Sequence, residues 1–282
     1  MQNAGIQSLG LDWRYLAFDV RPEELASALA GARAMRYLGL NLTVPHKLLM
    51  HDLVDELDDS ARIWGAVNTV RFEARNESGE WRPLGEFAEL PETGEILARG
   101  FNTDADAIVR SLRDDLAVEP RDARILLLGA GGAGRTAALR LAAEGARELW
   151  LVNRTTARAE AMAQEIRTKH PAVSVQVGHP TGQVDLLLNA TSLGLRAGDP
   201  SPLDEARFAL SHAAAVYDMI YRPAETFLLR RAREAGCRTA NGLGMLLYQG
   251  ARALELWAGC AAPVGIMRRA LETNVYGSTQ ST

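Results

Sequence analysis

Apolar and polar positions alternate with two textures along this chain. In the first hundred residues the elements follow one another irregularly. Leu38, Leu40, Leu42 and Val44 alternate with Gly39, Asn41 and Thr43, which is the period of a buried strand. Pro45 then suits the first turn of a helix that continues through Leu48, Leu49, His51, Asp52 and Leu53. Upstream, residues 1–9 read as a helix tail stopped by Gly10, residues 13–20 as a strand, and residues 22–35 as a helix with Leu25, Ala28, Leu29 and Ala32 on one side. Downstream come a strand over 66–72, a polar loop or exposed hairpin over 73–95, a strand over 96–101 and a helix over 106–116.

After the linker Glu119-Pro120-Arg121-Asp122 the pattern becomes a regular strand–helix alternation. Strands are predicted at 124–128, 149–152, 173–177, 184–189, 215–220 and 238–240, with helices at 136–144, 156–169 and 226–235. Strands alternating with helices predict a parallel sheet covered on both faces. From Met245 to Leu271 the pattern is helical, interrupted near Gly259 to Pro263.

Composition narrows the class. A chain of 282 residues with 47% hydrophobic and 23% charged residues is that of a globular protein of one large or two ordinary domains. A net charge of -4 gives no reason to expect a nucleic-acid partner. No run approaches the roughly 18 apolar residues a membrane span needs. The opening Met1-Gln2-Asn3-Ala4-Gly5 has neither a basic region nor an apolar signal core. Cys237 and Cys260 are the only cysteines, so no disulfide framework is implied and a cytoplasmic protein is expected. No Cys/His zinc spacing and no nucleophile elbow occurs, and no metal is expected.

Three features carry candidate chemistry. The run Ile125 to Leu128 enters Gly129-Ala130-Gly131-Gly132-Ala133-Gly134, with a helix directly after it. Such a turn lets backbone approach a pyrophosphate, which then sits on the N–H groups at the positive end of the helix. The second strand ends in Asn153-Arg154-Thr155, with Arg158 one turn on, where an NAD binder usually places an acid for the ribose diol. Guanidinium groups there suit a phosphate, which favours NADP. Thr191 and Ser192, after the fourth strand, either line the ribose or nicotinamide or cap a helix.

The third feature is Lys47. Of 31 basic residues only Lys47 and Lys169 are lysine. Arginine does not release its proton in proteins and lysine can, so a lysine at a strand–helix junction beside Thr43 hints at proton transfer; the plain alternative is a solvated helix residue. Asp104, also at a strand's carboxyl end, is its nominated partner, with an N-cap role as the alternative. Asn68 is placed to hydrogen-bond a hydroxyl. Reduction of a ketone by a nicotinamide needs a proton source of this kind.

Taken together, these stretches resemble the shikimate dehydrogenase family. The matching segments are Asn41 to Lys47, Gly65 to Thr69, Asn102-Thr103-Asp104, Gly129 to Gly134, Asn153-Arg154-Thr155, Asn189 to Ser192, Asp218 to Pro223 and Gly242 to Gly250, in family order across nearly the whole chain. The resemblance implies an α/β fold of two domains. Residues 1–105, completed by the C-terminal helices of 245–282, would bind substrate, and residues 106–244 would form a Rossmann NADP-binding domain. It implies NADPH-dependent reduction of 3-dehydroshikimate to shikimate, on the chorismate route of aromatic amino acid biosynthesis, by a monomer or homodimer. It makes Lys47 and Asp104 the catalytic pair. Thr43, Asn68, Thr103, Tyr221 and Gln249 would contact substrate. Arg154, Thr155 and Arg158 would clamp the adenosine phosphate, and Gly242 and Met245 would lie on the cofactor side, Met245 near the nicotinamide.

The chain departs from the family pattern at its start. Met1-Gln2-Asn3-Ala4 resembles the helix that follows the family's first strand and its Ser-x-Ser loop, whose hydroxyls bind the substrate carboxylate. Losing two such hydrogen bonds, at roughly 1.5–3 kcal/mol each, would weaken binding by about 10²–10⁴-fold. The expectation is either a natural start upstream of this Met or an impaired version. The segment over 73–95 is longer than usual, Ala105 and Ala107 stand where the family tends to glycine, and Leu42 replaces a commoner valine. Two competing readings are a quinate/shikimate dehydrogenase using NAD, which the arginines oppose, and a non-catalytic dinucleotide-binding relative, which an intact Lys47 and Asp104 oppose.

Overall fold

The computed structural model describes residues 1–90 and 94–277. It divides into two units: Met1–Asp104 with Leu247–Thr282, and Ala105–Leu246. Within these, residues 91–93 of the 73–95 segment and residues 278–282 at the end lie outside the described part. No described helix is long and apolar enough to cross a membrane.

The first unit contains, in order, α1 (Gln2–Ser8), α2 (Leu25–Ala34), β1 (Gly39–Asn41), α3 (His46–His51), β2 (Glu56–Leu57), α4 (Asp59–Trp64), β3 (Thr69–Arg75), β4 (Trp81–Pro83) and β5 (Ile96–Phe101). Its sheet runs β1-β3-β5-β2, with β4 also on β3. β3 is antiparallel to β1, β4 and β5, and β2 is parallel to β5. Leu25 and Leu29 of α2 pack with Met50, Val70, Phe72 and Leu84 into one apolar cluster. Burial of side chains of this size contributes roughly 1.5–3 kcal/mol each.

Several local expectations are corrected here. Residues 13–20 form no strand. Leu16 and Phe18, the face the alternation would bury, are 65% and 63% exposed. The backbone there is held by a side chain instead, because Asn3 Oδ1 accepts from the Tyr15 N–H (2.7 Å) and Asn3 Nδ2 donates to the Tyr15 carbonyl (2.9 Å). The strand expected to reach Val44 ends at Asn41, since its partner begins at Thr69, opposite Asn41. Val44 is therefore exposed, and Pro45 stands before α3 at its N-cap, following a cis peptide, rather than inside the first turn.

The strand expected over 66–72 starts at Thr69 and runs on to Arg75. Glu73, expected to open a loop, is buried in it because two cations neutralise it: Arg71 Nε and Arg99 Nε each donate to Glu73 Oε1 at 2.9 Å. A buried carboxylate persists in a central strand only when paired in this way. The segment after β3 is a hairpin onto β4. The short β2 and α4 escaped sequence reading; α4 opens on Asp58, whose carboxylate accepts from the Ser60 N–H (2.9 Å).

The second unit is more regular. Helix α5 (Asp104–Leu116) leads, from Ala105 onward, into β6 (Arg124–Leu128), α6 (Gly132–Ala143), β7 (Glu148–Val152), α7 (Thr156–Lys169), β8 (Ser174–Val177), β9 (Val184–Asn189), β10 (Ala213–Asp218), α8 (Phe227–Glu234) and β11 (Arg238–Asn241). Helix α9 (Leu243–Ala258) opens in this unit and continues in the first, which α10 (Val264–Tyr276) completes. The sheet order is β11-β10-β9-β6-β7-β8, all parallel. Sequence order reverses between β6 and β9, and ligands of such sheets bind beyond the strand carboxyl ends at that reversal.

Tyr217 of β10 is fully buried, with its hydroxyl 3.0 Å from Ser111 Oγ, which itself donates to Asp115 Oδ2 at 2.7 Å. Burial pushes this phenol well above its ordinary range. An unfolded tyrosine loses its proton near pH 10, so the stability gained by keeping Tyr217 protonated is complete below about pH 10 and is lost as pH climbs above it. In an absorbance titration of phenolate, one tyrosine is expected to ionise only together with unfolding. Its replacement, Tyr217→Phe, should take one tyrosine out of that late ionisation; a late amplitude unchanged in the variant would show the assignment to be wrong.

Candidate active site

In the first unit, four polar side chains and one backbone group converge where β3 and β5 give way to loops. Lys47, in the first turn of α3, donates to Asp104 Oδ2 at 2.7 Å. Asn68, just before β3, donates to Asp104 Oδ1 at 2.9 Å and to Thr103 Oγ1 at 3.0 Å. The Thr103 hydroxyl donates to the Gln249 carbonyl on α9 (3.1 Å). The Lys47 and Asp104 side chains are 29% and 15% exposed, so the pair is shielded but reachable. Lys169, the other lysine, is a half-exposed partner of Glu165 one helical turn away. Of the two lysines, only Lys47 stands in a polar cluster.

The N-cap alternative for Asp104 does not apply. Asn102 Oδ1 accepts from the Asp104 N–H (3.1 Å) and so holds the opening of α5, which leaves both Asp104 carboxylate oxygens to Lys47 and Asn68. Thr43 is exposed in the turn before α3, and none of its described side-chain hydrogen bonds joins this cluster. Tyr221 lies in the second unit, after β10, and is 38% exposed.

In the second unit the glycine turn sits at the β6/β9 reversal. Gly129 has φ 106°, a conformation that side chains resist, and a Cβ on Gly134 would overlap the Gly129 carbonyl. These two glycines let α6 pack tightly on β6. Beside Gly131 and Gly132 a Cβ would meet nothing within 4 Å, so space is open against the first N–H groups of α6. Those groups have no partner within the helix. Open space and unpaired donors at a positive helix end fit a pyrophosphate.

Asn153 has a supporting place. Its Oδ1 accepts from the Ala130 N–H (3.0 Å), and its Nδ2 donates to the Thr155 carbonyl (2.9 Å). It thereby ties the glycine turn to the Arg154-Thr155 loop. Arg154 and Arg158 are exposed, and neither guanidinium has a salt-bridge partner among the described residues. Thr155 is the N-cap of α7, yet its hydroxyl caps no helix N–H. Two cations with no salt-bridge partner among the described residues, beside a hydroxyl that makes no cap hydrogen bond at the same helix start, fit a phosphate monoester.

Thr191 caps no helix, because β9 is followed by bends and turns at residues 191–198. Its hydroxyl donates to Asn189 Oδ1 (2.8 Å) and accepts from the Leu193 N–H (3.1 Å), closing a turn that leaves Ser192 exposed. Asp218, to which the sequence assigned no role, is a buried carboxylate. Asp218 accepts from Thr226 Oγ1 (2.7 Å), Asn189 Nδ2 (2.9 Å) and the Ile220 N–H (3.1 Å), and burial pushes its pKa up. This one side chain fixes both the 189–193 turn and the 219–226 loop that carries Tyr221. A Cβ on Gly242 would overlap the Met219 backbone, so that residue allows α9 to start against the same loop. Met245 follows in the first turn of α9, half-buried, and its N–H bonds the Tyr217 hydroxyl.

Known proteins match along this whole arrangement. The model of the shikimate dehydrogenase substrate binding domain matches residues 1–70, that of shikimate/quinate 5-dehydrogenase residues 112–193, and that of the shikimate 5'-dehydrogenase C-terminal domain residues 242–272. The shikimate dehydrogenase (NADP(+)) of Geobacter metallireducens is 42% identical over 277 residues, 95% of this chain and 89% of that protein. Among solved structures, the Thermus thermophilus shikimate 5-dehydrogenase in complex with NADP(H) and shikimate superposes with a TM-score of 0.76 at 33% identity, covering 96% of this chain and 91% of that one. The ligand-free 5-ketofructose reductase of Gluconobacter sp. strain CHM43 gives 0.79 at 33% identity, with 97% and 92% covered. On sequence and fold together, the chain belongs to the shikimate dehydrogenase family.

Proposed function

We propose that this chain catalyses the reversible, NADPH-dependent reduction of 3-dehydroshikimate to shikimate, with Lys47 and Asp104 as its acid–base pair. The observation that carries the reading is the 2.7 Å contact between Lys47 Nζ and Asp104 Oδ2 within a cluster of neutral hydrogen-bonding groups. Relatives named shikimate dehydrogenase (NADP(+)) over nearly the full chain support the reaction and the cofactor. The unit of Met1–Asp104 and Leu247–Thr282 takes the role of substrate binding, and that of Ala105–Leu246 the role of NADP binding.

NADPH, when bound, supplies the hydride. The rest falls to the chain's own residues. Lys47 gives its proton to the oxygen that becomes an alkoxide and takes it back in the oxidative direction. Asp104 holds the ammonium in place and balances its charge. Thr43, Asn68, Thr103, Tyr221 and Gln249 bind the polar groups of the substrate. The N–H groups following Gly131 receive the pyrophosphate, Arg154, Thr155 and Arg158 the ribose phosphate, and Thr191, Ser192, Gly242 and Met245 stand on the nicotinamide side.

The test is oxidation of shikimate by this chain, followed by nicotinamide absorbance, with NADP and NAD and with quinate as a competing substrate. Turnover of shikimate with a preference for NADP is the expected result. Turnover of quinate with NAD in preference to shikimate, or cofactor binding with no turnover of either acid, would overturn the reading.

A further inference from the structure

The hydrogen bonds around Asp104 extend further than the substrate-site cluster, and their directions are fixed by chemistry. Asn68 Oδ1 accepts the Thr103 backbone N–H at 2.9 Å. A backbone N–H only donates, so the Asn68 amide has one orientation, with Nδ2 toward Asp104. Asn41 lies 3.3 Å from the Asn68 carbonyl, which only accepts, so the Asn41 atom there is Nδ2. That same Nδ2 donates to Thr69 Oγ1 at 3.0 Å, and the Thr69 hydroxyl donates on to Asn68 Oδ1 at 3.2 Å. Asn41 Oδ1 is thereby left to accept from the Tyr15 hydroxyl at 3.1 Å. Each bond points the same way: Tyr15 to Asn41, Asn41 to Thr69, Thr69 to Asn68, Asn68 to Asp104.

Tyr15 is well anchored to start such a chain. Asn3 clamps its backbone N–H and carbonyl, and its ring lies 6.2 Å from that of Trp257, whose indole N–H bonds the Val70 carbonyl. Burial also pushes the phenol up, which keeps the hydroxyl a donor.

We propose that Tyr15 and Asn41 are positioning residues for the Lys47–Asp104 pair, acting through Thr69 and Asn68. The proposal rests on the acid–base role given to that pair above. Aligned hydrogen bonds polarise one another and fix each amide in turn. The result is that Asp104 Oδ1 stays occupied by Asn68, and Oδ2 alone faces the ammonium. The amide links carry no proton, so the chain orients the pair and does not exchange its proton with solvent.

The test is steady-state kinetics on Tyr15→Phe, which removes one hydroxyl and keeps the ring, and on Thr69→Val, which removes the hydroxyl two links on. Each is expected to lower kcat by roughly threefold to tenfold, the effect of one neutral hydrogen bond, and to leave KM for NADP unchanged. The double variant should fall no further than the worse single variant, because both cut one chain. In a Lys47→Ala background Tyr15→Phe should leave the residual rate unchanged. Wild-type kcat in Tyr15→Phe, additive losses in the double variant, or an equal loss in the Lys47→Ala background would each overturn the proposal while leaving the acid–base pair standing. Near-normal kcat in Lys47→Ala alone would instead remove the pair itself, and this inference with it.

Discussion

Replacing Lys47 with alanine is expected to lower kcat for the reduction by about 10²–10⁴-fold, the usual contribution of a positioned general acid, and to change KM for 3-dehydroshikimate far less. The reason lies in what the contact at 2.7 Å can do. Before hydride transfer the substrate oxygen is a neutral carbonyl and asks little of an ammonium. As the hydride arrives, negative charge gathers on that oxygen, and the proton of Lys47 becomes most valuable there. An interaction made mainly in the transition state appears in kcat, whereas uniform binding appears in KM. Lys47→Arg separates charge from proton. Arginine keeps the cation and a hydrogen bond to Asp104 but does not give up its proton. It should therefore be nearly as slow as alanine. An arginine variant within a few-fold of wild type would show that Lys47 acts as a fixed charge, and an alanine variant with near-normal kcat would remove it from the chemistry. Asp104→Asn makes the complementary change: the amide preserves shape but no longer balances the ammonium, so kcat should again fall more than KM rises.

Legibility followed the strength of the local signal. The second unit could be read element by element, because a parallel sheet covered on both faces writes long apolar runs separated by turn residues. Ile125 to Leu128 and Leu186 to Leu188 are such runs, and both are fully buried strand segments. The first unit was read less well, because its strands are short and its exposed segments are held by side chains rather than by ladders. Residues 13–20 have the alternation of a strand, yet Asn3 takes the hydrogen bonds of Tyr15 that a neighbouring strand would have taken. Glu73 looks like the start of a loop because nothing local reveals that Arg99, from the neighbouring strand β5, would join Arg71 of its own strand in neutralising it.

The same distinction holds for the functional residues. Lys47, Asp104 and the glycine turn stood out by residue type and by their place at element junctions. Asn41, Thr69 and Asp218 lie at the ends of segments that resemble the family, but neither residue type nor local pattern gives them a role. Their importance lies in partners distant in sequence, such as Tyr15 for Asn41 and Thr226 with Asn189 for Asp218. Asn102 is a milder case. It sits in a recognisable Asn-Thr-Asp triplet, but only the geometry shows that it, and not Asp104, secures the opening of α5.

Cofactor choice should respond to Arg154 and Arg158 more than to any other residues in the second unit. A helix start favours acids, because its exposed N–H groups carry partial positive charge. The first turn of α7 contains no acid; Arg154 precedes it and Arg158 stands within it, neither with a salt-bridge partner among the described residues. Folding alone would favour the opposite charge there, so an anionic ligand is the economical explanation for two cations. A guanidinium bond to a phosphate is worth roughly 1.5–3 kcal/mol, or about 10–150-fold in affinity. Arg154→Ala is therefore expected to raise KM for NADP by about that factor and to leave NAD use little changed. Because both side chains are exposed, the effect should shrink as salt rises and screens them. Arg158→Glu should go further. It replaces a repelled charge with a favoured one at the helix start, so the melting temperature should rise slightly while NADP is rejected by like charge. Equal loss with both nucleotides, in either variant, would mean that these arginines hold the fold or the shared part of the cofactor, and that the preference for NADP is written elsewhere.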